Sequence, residues 1–341
     1  MNARGYINKC IAQAYTTGRL PAMRVMLEQS HCTRTALQHI IKEYADLGYL
    51  VRKDRSGFYL RSQPLDGNVI ELVACHDEGY SASGFLYECM VAMINSFSKH
   101  GCSVRLVSIN QLESIEKYLE ISRRSDSAAF MLFMPHTREI ISTFQLTGKP
   151  VLVLFPQGRF GGVNQLVDSS KLMALQMNHL LKLGHRRILY LCKQYALYQS
   201  VTELNRGMDY YHIMSRNGLQ VPDHWHMHYP VGKLNETLEL AFSKEPTPTA
   251  LIVPDDEVAT TFVFLQKHNL AIGKDVSVVA TDGTTFLNSI SPTVSTTVTD
   301  CVQLSEDAWS LLERQFRGCK DFERREVKIS FRQGESSGKA K

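Results

Sequence analysis

No run in the 341 residues approaches the ~20 consecutive apolar residues that a membrane-spanning helix needs. The opening residues, MNARGYINKCIAQAY, lack the apolar centre of a secretion signal, so export is not expected and the reading is a cytoplasmic protein with no membrane attachment. Eight cysteines, at 10, 32, 75, 89, 102, 192, 301 and 319, make neither a C-x-x-C pair nor a regular framework. They read as reduced thiols, mostly small core residues, which excludes a disulfide scaffold. The chain also lacks a nucleophile elbow joining strand to helix, a dinucleotide fingerprint, a Walker loop and a His-Glu-x-x-His pair. Gly158-Arg159-Phe160-Gly161-Gly162 is glycine-rich but lacks the strand-turn-helix phosphate pattern. His224, His226 and His228 alternate as on one face of a strand, but without a Cys or carboxylate at ligand spacing they read as a solvated face and not as a metal site. No catalytic residue, cofactor or metal is therefore expected.

What is present is a globular composition, 44% apolar and 21% charged, with room for two or three domains. The basic charge is local: residues 1–63 carry ten Lys/Arg against four Asp/Glu, a net of +6, while the rest carry 28 against 30, a net of −2. A polyanionic partner for the first sixty residues follows. Within them, LPAMRVMLEQSHCTRTALQHIIKEYADLGYLVRKDRSGFYL (20–60) predicts a helix ending near Ser30, a three-residue turn, and a second helix opening at Thr33. Leu37, Ile40, Ile41, Tyr44 and Leu47 fall at helical spacing, which buries one face and turns Arg34, Gln38 and Lys42 outward. Thr33 can cap that helix, and its free N–H groups beside Arg34 suit phosphates and base edges. Gly48 stops the helix, and LVRK and GFYL flank a basic hairpin tip at 54–57. The pattern is a winged helix-turn-helix.

Leu20-Pro21, Arg24, Thr33-Arg34-Thr35, Gly48-Tyr49-Leu50 and Ser56-Gly57 keep one order and spacing over about forty residues. In this the segment resembles the GntR family of bacterial transcription regulators. The resemblance implies double-stranded operator DNA as partner, met by Arg24, Thr33, Arg34, Thr35, Gln38, Arg55, Ser56 and Gly57.

A Pro-Gly boundary at 63–68 separates this head (1–62) from a longer body. There, apolar runs at 69–75, 103–109, 128–134, 150–155, 187–192, 249–254 and 275–282 alternate with helical segments such as Ser81–His100 and Ser169–Leu183. Strands apolar throughout, each followed by a helix, predict parallel sheets covered on both faces. Leu183-Gly184-His185-Arg186-Arg187-Ile188, Pro248-Thr249-Ala250 leading into Asp255-Asp256, Asp275-Val276-Ser277-Val278-Val279 with Asp282, and Ser291-Pro292 with Ser295-Thr296-Thr297 then resemble the effector domain of the LacI/GalR regulators. The expected fold is α/β: a two-lobed, periplasmic-binding-protein-like (type I) body with parallel sheets, plus the small winged helix-turn-helix head. The body is expected over 69–332, with lobes of 69–160 plus 285–318 and 161–284 plus 319–332, and a polar tail at 333–341.

Ligands of open α/β sheets sit beyond the carboxyl ends of the strands. The candidates are His76, Asp77, Tyr80 and Ser81 after the first strand, Phe85 beyond them, Phe155 after the fourth, and Asp255 and Asp282 after the later ones. Arg206 matches the effector-contacting arginine that the LacI/GalR resemblance implies, although Asp209 stands where those regulators have Gly. Carboxylate, arginine and aromatic wall together suit a hydroxyl-rich small molecule, a carbohydrate by resemblance. Each acid also has a duller role: Asp255 as a helix cap, Asp282 as a turn residue before Gly283. The functional expectation is a homodimeric, ligand-responsive repressor. An α/β enzyme fused to a DNA-binding head is the alternative, and a solute receptor the third reading.

Overall fold

The structure, a computed structural model, describes residues 3–7, 10, 19–46, 50–53, 57–60, 68–75, 84–109, 115–194 and 201–341. The chain divides into two compact units, Met1–Gly67 and Asn68–Lys341.

In the first unit, helix α1 (Met23–Ser30) ends at His31, which takes the left-handed conformation (φ 54°) and reverses the chain. Thr33 then caps α2 (Arg34–Asp46), its Oγ1 accepting the Ala36 N–H at 3.3 Å. Leu37 and Ile41 bury fully beside Met26, Leu20, Tyr6 and Ile7, while Arg34, Gln38 and Lys42 stay exposed, as the spacing predicts. Strands β1 (Leu50–Lys53) and β2 (Gly57–Leu60) pair antiparallel from Leu50↔Leu60 to Lys53↔Gly57. The tip, with Arg55 and Ser56, lies outside the described residues, as does Gly48.

In the second unit the seven apolar runs are strands: β3 (Val69–Ala74), β4 (Ser103–Ser108), β5 (Ser127–Phe133), β6 (Val151–Leu154), β8 (Ile188–Tyr190), β11 (Ala250–Val253) and β12 (Ser277–Ala280). Five others are polar or very short: β7 (Asn164–Val167), β9 (Cys192–Gln194), β10 (His228–Pro230), β13 (Ser295–Thr299) and β14 (Arg324–Glu326); β15 (Ile329–Arg332) closes the series. They form one six-stranded parallel sheet, ordered β14-β7-β6-β5-β3-β4, one of five strands, β15-β13-β12-β11-β8, in which only β15 runs antiparallel, and a small parallel pair, β9 with β10. Helices α3 (Phe85–Phe97), α4 (Ile115–Ser122), α5 (Arg138–Gln145) and α10 (Cys301–Phe316) pack with the first sheet, and α6 (Leu172–Lys182), α7 (Val201–Arg216), α8 (Leu234–Phe242) and α9 (Val258–Lys267) with the second. Among the described residues, no helix is long and apolar enough to cross a membrane.

The chain crosses between the lobes later than the apolar runs suggested. Residues 164–167 and 324–326 belong to the first sheet and 295–299 to the second, so the expected divisions at 160, 285 and 319 move to just after β7, β13 and β14. The reason is local: Asn164 and Gln165 make β7 a polar strand, held at its edge by pairing with β14 and by the Glu323 N–H on Asn164 Oδ1 at 2.7 Å.

The segment expected as a polar tail is a strap packed on the second sheet, with Ser336 and Ser337 buried. Ser336 donates to the Val278 carbonyl at 2.6 Å, Ser337 meets Ser295 (2.6 Å) and His179 (2.7 Å), and Gly338 accepts from His185 at 3.0 Å. It runs over the amino ends of β8, β11, β12 and β13. This strap spells Gly-x-Ser-x-Gly at 334–338, but Ser336 is fully buried and no helix follows, so it is no nucleophile elbow. A Cβ on Gly338 would lie 2.1 Å from the Gly273 carbonyl oxygen. Gly338→Ala is therefore expected to cost about 1–3 kcal/mol of stability by overpacking. An unchanged denaturation midpoint in that variant would mean that the strap does not seat there.

Candidate ligand-binding cleft

Each lobe presents its strand carboxyl ends to the cleft, and the two walls differ in chemistry. On the first, Phe133 ends β5, Phe155 follows β6 and Phe85 opens α3. Phe85 and Phe155 meet edge-on at 5.1 Å, and Phe155 and Phe133 at 5.7 Å. Phe155 is held in the left-handed region (φ 51°) with its N–H bonded to the Leu166 carbonyl at 2.8 Å. A bulky side chain in that conformation costs roughly 1–3 kcal/mol, and such outliers cluster at ligand clamps. Phe155 is nevertheless only 7% exposed, so most of its ring serves the wall's packing.

The second wall is charged. Arg206, in the second turn of α7, donates from Nε to Asp168 at 2.8 Å and from Nη1 to Glu203 at 3.3 Å, with Nη2 3.8 Å from Asp282. Its side chain is 14% exposed and that of Asp282 28%. Tyr190, ending β8, donates to the other oxygen of Glu203 at 2.6 Å. Burial pushes the Asp282 carboxyl up to about 7; Arg206 opposes this, and the carboxylates of Asp255, Asp168 and Glu203 reinforce it. A raised carboxyl favours the folded state below its unfolded value, near pH 4, and that contribution is lost as pH rises through about 7. The Tm of wild-type protein is therefore expected to fall more steeply between pH 5 and 7.5 than that of Asp282→Asn. Parallel Tm profiles in thermal melts would show that folding does not perturb this carboxyl.

Asp255 does not share the cleft role expected of it. It is 6% exposed, and its oxygens accept the N–H groups of Thr281 (3.1 Å), Asp282 (2.9 Å) and Thr284 (2.7 Å) and the Thr284 hydroxyl (2.8 Å). It clamps the loop that carries Asp282 and has no oxygen left for a ligand. Across the cleft, Glu88 of α3 accepts both the N–H (3.0 Å) and the hydroxyl of Thr285, tying that loop to the opposite wall.

Beside Arg206 lies a cavity of about 560 Å³, lined among others by Phe160, Asp168, Ser169, Arg206, Asp209 and Arg324. Gly158 lines it as well, and a Cβ there would press on the far edge of the Phe160 ring at 2.7 Å, so a larger residue would require that ring to shift. Phe85, Phe155 and Asp282 do not line this cavity. His76, Asp77, Tyr80 and Ser81 lie outside the described residues. Sequence reasoning missed Asp168, Glu203 and Tyr190. Asp168 directly follows a strand, but that strand's polar sequence hid it; Glu203 stands three residues before Arg206 on a helix, a spacing that pairs charges.

Of the three alternating histidines, His224 bonds the Lys244 carbonyl (3.0 Å) and His228 the Cys192 thiol (2.9 Å). Among the described residues, no three His, Cys, Asp or Glu gather as a metal site.

In the first unit, Arg34, Thr35 and Gln38 share the exposed start of α2, whereas Arg24 pairs with Glu28 one turn on at 3.3 Å. Gly57 opens β2 with φ 104°, and Arg19, absent from the sequence reading, lies against it with its guanidinium 5.7 Å from the Tyr59 ring centre. Arg19 is thus a further cation on the hairpin, legible only once the strands are paired.

Residues 177–337 match the family model described as a periplasmic binding protein-like domain. No curated protein matches the chain. Similar solved structures include a putative transcriptional regulator LacI from Bacillus cereus subsp. cytotoxis NVH 391-98, at 16% identity and TM-score 0.68 over 79% of this chain and 98% of that one. A transcriptional regulator CelR–cellobiose complex aligns at 15% identity and TM-score 0.67 over 92% and 94%. The lac repressor dimer bound to operator and an anti-inducer aligns at 17% identity and TM-score 0.65 over 80% and 94%. At these identities the likeness establishes the fold: a two-lobed α/β body of the periplasmic-binding-protein kind.

Proposed function

We propose that the chain is a cytoplasmic, ligand-responsive transcriptional regulator, a repressor in which a GntR-type winged helix-turn-helix binds operator DNA and a LacI-type body binds a small hydroxyl-rich molecule, a carbohydrate. One observation carries the reading: a single chain joins a basic unit, with Arg34, Gln38 and Lys42 on the exposed face of a capped helix, to a two-lobed body whose cleft sets an arginine–carboxylate cluster opposite an aromatic wall. Arginine and carboxylates supply the donors and acceptors that hydroxyls need, and aromatic rings cover a sugar's apolar face. Similar solved structures include one with cellobiose and one on operator DNA, which agrees with this assignment of partners.

The reading includes a homodimer. Tyr87, Val91 and Ile94 form an exposed apolar stripe along α3, beside the equally exposed Leu106 of the sheet-edge strand β4, a surface suited to a second copy. Two heads would then meet successive major-groove half-sites about 34 Å apart. Ligand acts by binding one arrangement of lobes and heads more tightly than the other. The test is a thermal-shift screen of neutral mono- and disaccharides, followed by operator selection from random duplexes and gel shifts with and without the hit. A protein that selects no duplex sequence, or whose duplex affinity ignores every stabilising ligand, is not such a regulator.

A further inference from the structure

The three crossovers between the lobes are joined to one another. The Val327 N–H donates to the Val167 carbonyl and the Asp300 N–H to the Lys328 carbonyl, each at 2.9 Å, and Glu326 accepts the Ser170 N–H (3.2 Å) and hydroxyl (3.0 Å). Segments that cross side by side in this way make a hinge about which two rigid lobes can open. A further contact spans the cleft without belonging to that hinge. The short helical turn Thr285–Ser289 leaves its first N–H without a partner of its own, and Glu88, on the first turn of α3 in the other lobe, supplies one. A single carboxylate oxygen, Glu88 Oε1, accepts both the Thr285 N–H at 3.0 Å and the Thr285 hydroxyl. Opening the lobes must break both bonds, and bonds to a carboxylate are stronger than those between neutral groups.

Both ends of this contact are fixed to the cleft walls. Phe85, three residues before Glu88 on α3, meets Phe155 of the aromatic wall edge-on at 5.1 Å. On the other side Asp255 accepts the Thr284 N–H (2.7 Å) and hydroxyl (2.8 Å), so the loop moves with the second lobe; the same loop carries Asp282 toward Arg206. Thr284 and Thr285 are thus gripped in the same manner by two acids, one from their own lobe and one from the opposite lobe.

We propose that Glu88 and Thr285 form a latch that holds the lobes closed before any ligand binds, so that a ligand enters the cleft only when the latch releases. The contact sets the balance between closed and open bodies, and a ligand shifts that balance by its preference for one of them.

The test uses the full-length protein with neither ligand nor DNA. Hydrogen–deuterium exchange at single-amide resolution is expected to show the Thr285 amide protected in the wild type and exchanging about tenfold faster or more in Glu88→Ala, with the Thr284 amide, held by Asp255, unchanged. Small-angle X-ray scattering is expected to give Glu88→Ala a larger radius of gyration than the wild type, the head and linker being common to both. An unprotected Thr285 amide in the wild type would overturn the proposal. So would a radius of gyration unmoved by the substitution, since a contact that only orders the loop loosens it without parting the lobes. Should Glu88→Ala fail to fold, Glu88→Gln, which keeps an acceptor oxygen and loses the charge, carries the same two comparisons. Neither measurement involves a sugar or an operator, so the latch can fail while the regulatory reading stands, and the reverse.

Discussion

Arg206→Ala is expected to abolish ligand response and also to destabilise the body by about 2–3 kcal/mol. The guanidinium faces Asp168, Glu203 and Asp282, all mostly buried. Removing one partner of a buried ion pair typically costs about 3–5 kcal/mol, because the surviving charge is left uncompensated; partial exposure of the acids reduces that figure here. Asp282→Asn differs. It keeps the side chain's shape and relieves crowding among carboxylates, so it is expected to fold normally and yet bind ligand ~2 kcal/mol or more weaker, roughly thirty-fold. Such a variant remains in its ligand-free state and, in a repressor, stays on the operator. Urea titration and calorimetry separate the two effects. Wild-type affinity in Asp282→Asn would move the ligand elsewhere in the cleft, and an undiminished midpoint in Arg206→Ala would mean that the cluster is solvated.

In the first unit the largest effect is expected at Arg34. It is exposed at the first position of α2, after Thr33 has used its hydroxyl to satisfy the Ala36 N–H, which leaves Arg34 free to reach a base edge. A bidentate contact to guanine is worth ~1–3 kcal/mol of discrimination, so Arg34→Ala is expected to lower operator affinity toward that for random duplex. Arg55→Ala and Arg19→Ala remove cations from the hairpin side and are expected to weaken all duplexes alike, reducing the salt slope by about one. Gel-shift titrations at several salt concentrations distinguish these patterns. If Arg34→Ala weakens operator and random duplex equally, Arg34 is a phosphate contact and specificity resides elsewhere.

The contrast between Asp255 and Asp282 shows where reading the chain stops. Both follow an apolar strand, and both were candidates on that ground. Only the folded loop reveals that Asp255 is saturated by Thr281, Asp282 and Thr284 while Asp282 turns toward Arg206. The strap at 334–338 has the composition of a solvated tail, but its serines and glycines are the residues that fit against backbone at the sheet's end.

The helix pair of the first unit, its hairpin, and the seven apolar strands of the second were determined by the sequence itself. Their signal is the period of hydrophobic residues along a few consecutive turns or strand positions, a local quantity that survives without neighbours. Tertiary structure alone decided where the chain crosses between lobes, which acids clasp Arg206 and which thiol meets His228. Polar strands such as β7 carry no such period. Ion pairs and thiol contacts join residues dozens of positions apart, whose meeting depends on how the elements pack and not on what either residue's neighbours are.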